Sequence, residues 1–96
     1  MRQYTDKMFV DRRWILSVLE NENRNQLQKW GVQTHSSFEW LAYTTEELGS
    51  LSKAISEYEY RKGPILNIVD EAVQVATLAL KIAEMYYHEA YIKSKV

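Results

Sequence analysis

Cysteine is absent from the sequence, and its 96 residues include only one proline and three glycines. Without cysteine there are no disulfide staples, no thiolate zinc ligands and no thiol nucleophile. So few turn formers do not fit an all-β chain, which needs Gly, Pro and Asn at many tight turns. An excess of one charge sign is also missing: 12 Lys and Arg stand against 13 Asp and Glu, for a formal net charge of −1. A protein that coats nucleic acid or an anionic membrane carries a basic surplus, so neither partner is expected. Long apolar runs are missing too. The longest, Val75 to Leu80, contains Thr77 and falls far short of the roughly 20 residues that span a bilayer. The opening Met1-Arg-Gln-Tyr-Thr-Asp lacks the apolar stretch of a signal peptide, so a soluble, cytoplasmic protein is expected. There is no Gly-rich phosphate loop, no His-Glu-x-x-His and no helix-turn-helix punctuation.

What is present is 46% hydrophobic and 26% charged residues, the balance of one globular domain spanning residues 1–96. Helical periodicity divides it into three segments. The first is expected from about Asp6, a plausible N-cap, to Trp30, with Gly31 as its stop. Met8, Trp14, Ile15 and Leu19 supply its apolar contacts, whereas Glu20 to Arg24 is polar all round and predicts a solvated half or a bend. The second opens at Ser36 or Ser37 and runs to about Arg61. Ser37 with Trp40 lacks the acidic partner of a capping box, although either serine can cap. Leu41, Thr44, Leu48, Leu51, Ile55 and Tyr58 recur at helical steps and predict the buried face. Gly49 interrupts this pattern at roughly 1 kcal/mol relative to Ala, either to permit close packing or because it is tolerated. The third segment starts at Pro64 and extends to about Tyr91.

That last segment carries two apolar stripes, Ile65-Ile68-Ala72-Val75-Ala79-Ile82 and Leu66-Val69-Val73-Ala76-Leu80-Ala83. A helix apolar on two sides must be covered on two sides. So short a chain cannot do this alone. The expected architecture is therefore an all-α antiparallel bundle of three main helices, completed by homo-oligomerisation as a dimer or tetramer; a monomeric three-helix bundle is the alternative. Tyr86, Tyr87 and Tyr91 suit such an interface, because tyrosine buries a large ring while keeping a polar tip.

Tyr43, Glu47, Ser50, Ala54 and Glu57 form a second stripe on the middle segment, and Asn67, Glu71, Gln74 and Lys81 the polar stripe of the last. Helical residues three apart point the same way. Glu47 with Ser50, and Glu71 with Gln74, are thus two oxygen-bearing pairs that antiparallel neighbours can bring together. Converging carboxylates repel one another unless a hard cation such as Mg²⁺ neutralises them. The same spacing also fits ordinary solvated acids at Glu46, Glu47, Asp70 and Glu71.

The run Glu46-Glu47-Leu48-Gly49-Ser50-Leu51-Ser52-Lys53-Ala54-Ile55 resembles a signature helix of the MazG-like, all-α nucleoside triphosphate pyrophosphohydrolases. Asn25-Gln26-x-x-Lys29-Trp30-Gly31-x-Gln33-x-His35, followed by Trp40-Leu41, is similar to the lead-in of the family's phage and mobile-element members. Asp70-Glu71-Ala72-Val73-Gln74 falls at the family's second acid pair, and the likeness spans Arg24 to about Glu84. The resemblance implies Mg²⁺- or Mn²⁺-dependent hydrolysis of a deoxy or modified nucleoside triphosphate to the monophosphate and pyrophosphate. It places Glu47 and Glu71 at two of four metal-site acids, as catalytic residues. Ser50 and Gln74 stand at the other two. Gln offers a hard cation a carbonyl oxygen and Ser only a poor hydroxyl ligand. Weak turnover is one expectation, with Glu46, Asp70 or Glu57 as substitute acids. The other is a family member that has lost catalysis and persists as a nucleotide-binding or oligomeric protein. The resemblance also implies Trp30 as cover for a base, His35 beside the nucleotide and Lys29 against phosphate. Their plain alternatives are an interface aromatic, a helix-start cap and a solvated lysine. His88 reads as a surface residue.

Overall fold

A computed structural model of the chain describes Arg2, Tyr4 and residues 11–94, which contain three α-helices and no strand. The helices are α1 (Arg12–Trp30), α2 (Ser37–Arg61) and α3 (Ile65–Ser94). Asp6 and Met8, expected in the first helix, lie outside the described residues. The cap of α1 is Asp11, whose carboxylate accepts the Trp14 N–H at 3.0 Å. Gly31 closes the helix at φ 71°, ψ −166°, a conformation open to glycine, and its N–H reaches the Leu27 carbonyl at 2.7 Å. No bend interrupts the polar half of α1.

Ser36 caps α2 with a full capping box. Its hydroxyl accepts the Glu39 N–H at 3.2 Å, and the Glu39 carboxylate accepts the Ser36 N–H at 2.9 Å. These bonds hold the Glu39 carboxyl below the usual carboxylate range. Choosing Ser36 over Ser37 supplies the acidic partner that the Ser37–Trp40 pairing lacks. At the far end Lys62 is left-handed (φ 58°), and the Gly63 N–H meets the Glu57 carbonyl at 2.8 Å. Pro64 then precedes α3, whose first turn closes from the Asn67 N–H to the Pro64 carbonyl.

The last helix, α3, packs along α2 and over a shorter stretch against α1, so both lean on it. The inward side of α2 runs Trp40-Thr44-Glu47-Leu51-Ala54-Tyr58. This is the seam between the two stripes read from the sequence, and it draws on both. Leu41, Leu48 and Ile55, expected in the core, are 57%, 53% and 43% exposed. Among the described residues the buried apolar side chains are Trp40 and Leu78, joined by the polar Gln26 and Thr77. Glu20–Arg24 is exposed as expected except at the half-buried Glu22, and just beyond it Gln26 is 5% exposed. Gly49 has open space where a Cβ would stand, so nothing in the chain packs closely against it. Among the described residues no helix is long and apolar enough to cross a membrane.

Candidate functional site

Glu47 stands on the inward side of α2, one turn beyond Tyr43, and Glu71 lies on the side of α3 that meets α2. The two carboxyl groups are near enough for the charge of Glu71 to act on Glu47. Partial burial and the nearby Glu71 charge raise the Glu47 pKa above the usual carboxylate value; Glu22 on α1 and Glu46 add to the rise. The Glu71 Oε2 atom is shut off from solvent and accepts no hydrogen bond. Among the described residues no Lys, Arg or His forms an ion pair with either carboxylate.

Beside this pair opens a pocket of about 270 Å³ lined by Trp30, Gln33, Tyr43, Glu46, Glu47 and Leu78. Trp30 is half exposed at its rim, and the Lys29 ammonium lies 5.0 Å from the centre of the Trp30 ring. Glu47, Trp30 and Lys29 therefore gather on one side of the molecule. His35 is held apart from the rim. Its ring packs edge-on against Trp40 and Tyr43, with both centroids at 4.9 Å, and its buried Nε2 has no hydrogen-bond partner. It lines a second cavity of about 320 Å³ with Trp40 and Tyr86, whose hydroxyl bonds Ser37 Oγ and ties the end of α3 to the start of α2. The N-cap position itself belongs to Ser36, not His35.

Ser50 and Gln74 are not drawn to the acid pair in the same way. Ser50 is exposed, and its hydroxyl donates to the Glu46 carbonyl of its own helix at 3.4 Å. Gln74 faces α1, in a groove shared with Asn21, Glu22, Asn25 and Asp70. Glu57 is engaged by the Arg61 guanidinium at 3.2 Å. His88 is exposed, as read. Among the described residues no three His, Cys, Asp or Glu side chains are grouped to hold a metal.

Glu22 is the residue that sequence reasoning missed. It sits in the stretch read as uniformly solvated, yet it is partly buried and its charge reaches Glu47. The available signal was Gln26, one turn later in the lead-in motif, to which Glu22 is bonded at 2.8 Å. Set against protein-family models, curated proteins and solved structures, the chain matches none.

Proposed function

We propose that this chain is a MazG-like nucleoside triphosphate pyrophosphohydrolase of low turnover, cleaving a deoxy or modified nucleotide to the monophosphate and pyrophosphate. One observation carries the reading: Glu47 and Glu71 come together from different helices beside a pocket rimmed by an indole. Mg²⁺ fits this donor set. It takes one or two protein carboxylates and completes its shell with water and substrate phosphate, and the unpartnered Glu71 Oε2 is an oxygen in need of such a partner. Glu47 and Glu71 would hold the ion, which would neutralise phosphate charge and lower the pKa of a bound water. Trp30 would stack on the base, an interaction of roughly 1–3 kcal/mol. Lys29, at its edge, would meet phosphate as a point charge.

The surface supports homo-oligomerisation. The chain exposes 8240 Å², against about 5,800 Å² for a compact monomer of its mass. Two copies together carry a surplus of about 4,800 Å², at the upper end of what an obligate interface buries over both partners. Leu41, Leu48 and Ile55 form an open line at seven-residue steps along α2, and Leu66 and Leu80 lie bare on α3. A second copy would cover them.

A second reading, nucleotide binding without turnover, draws on Ser50 facing its own backbone and on the absence of a third grouped carboxylate among the described residues. The two separate on pyrophosphate release. Purified protein with a nucleotide panel and Mg²⁺ or Mn²⁺ is expected to release it slowly, and Glu47→Ala and Glu71→Ala are expected to release none. Nucleotide binding with no release from any substrate would favour the second reading.

A further inference from the structure

Behind the acid pair runs a chain of polar side chains that the proposed chemistry does not use. Lys81 Nζ on α3 donates to Gln26 Oε1 on α1 at 2.5 Å, and Gln26 Nε2 donates to Glu22 Oε2 at 2.8 Å. Gln26 is 5% exposed and both Glu22 and Lys81 are half-buried, so the middle of the chain lies out of water and its ends partly so. Both charged ends dictate how the amide points, since its oxygen must meet the ammonium and its NH₂ the carboxylate. An ammonium on the amide oxygen polarises the group and strengthens its donation at the other end.

The arrangement leaves Glu22 Oε1 without a hydrogen-bond partner. A direct Lys–Glu ion pair would have neutralised the carboxylate. An amide interposed between them fixes the carboxylate while Lys81 stays within reach of its charge, and leaves one carboxylate oxygen open. Glu22 shares a groove of about 380 Å³ with Gln74, which stands one turn along α3 from Glu71. Its negative charge also bears on Glu47.

We infer that Gln26 and Lys81 are positioning residues: through their hydrogen bonds they aim the Glu22 carboxylate at the Gln74 end of the acid centre. The charge missing from Gln74 is thereby supplied from α1. This rests on the proposed metal-dependent reading of Glu47 and Glu71. Glu22 acts on the cation's electrostatics, and Gln26 and Lys81 act only through Glu22.

Mn²⁺ titration of the full chain, followed by the electron paramagnetic resonance of the free ion, tests this without turnover. Gln26→Leu, Lys81→Met and Glu22→Gln are each expected to weaken Mn²⁺ binding by about tenfold, the usual scale for groups behind the ligands. Lys81→Arg, which keeps a donor, should retain most of the affinity. The deciding comparison is the double variant. Adding Gln26→Leu to Glu22→Gln should cost nothing further, because the relay then has nothing to aim. If Gln26→Leu does not fold, Lys81→Met on the Glu22→Gln background makes the same comparison. Wild-type affinity in Gln26→Leu and Lys81→Met, or losses that multiply in the double variant, would overturn the relay while leaving the metal centre standing. A wild-type chain that binds no Mn²⁺ would overturn both the functional reading and this inference.

Discussion

Glu47 is the carboxyl whose pKa the fold raises among the described residues, and that shift has a sign for stability. The pKa is raised in the fold, so ionising this group works against folding. Its penalty is absent below the ordinary carboxylate value, grows as pH rises through the raised one, and is complete at neutral pH. Glu47→Gln is accordingly expected to raise the cation-free Tm at pH 7 by a few degrees, measured by thermal denaturation. Mild acidification should stabilise the wild type more than this variant. Mg²⁺ should do the reverse, stabilising wild type and not Glu47→Gln. At Ser36 the expectation is simpler. Ser36→Ala removes the hydroxyl that accepts the Glu39 N–H and should cost about 1 kcal/mol in urea denaturation. Glu47 was legible as a candidate because it and Ser50, like Glu71 and Gln74, are oxygen-bearing side chains one turn apart on neighbouring helices. Glu22 was not, because the α3 residues beside it, Val73 and Gln74, stand about fifty positions further along the chain.

Helix boundaries come from local chemistry, and these were the legible part of the fold. Gly31, Arg61 and the Gly63-Pro64 break mark where helices stop and start, and no distant contact is needed to read them. At Gly63 the constraint is space, since the left-handed residue of this turn is Lys62. A Cβ there would stand 3.0 Å from Glu57 Cβ and 3.1 Å from its carbonyl carbon. Gly63→Ala should therefore destabilise the chain by about 1–3 kcal/mol in chemical denaturation. Which face of each helix turns inward was less legible. Periodicity found the leucine stripe of α2, but a stripe shows only that something must cover it. Within the chain α3 meets the neighbouring seam, so Trp40, Glu47 and Leu51 turn inward while Leu41 and Leu48 stay bare. The two stripes of α3 were read as a demand for two coverings, and one chain covers neither fully.

At the scale of the molecule, a Cα radius of gyration of 15.8 Å and extents of 53 × 30 × 23 Å describe an elongated body. A compact chain of this length would have a radius of about 12–13 Å. With so little buried apolar surface, the proposed oligomer becomes a matter of stability as well as assembly. Leu48→Glu puts a charge in the middle of the open line on α2. Light scattering after size exclusion is expected to show a smaller particle than wild type, with a lower Tm. The central claim, however, is that Glu47 and Glu71 share a divalent cation between α2 and α3. The most direct measurement is an anomalous difference map at the manganese edge, from a crystal of the full chain grown with Mn²⁺. A peak is expected between the carboxylates of Glu47 and Glu71, on the side facing Trp30. A map with those carboxylates apart, or together with no peak between them, would contradict that claim.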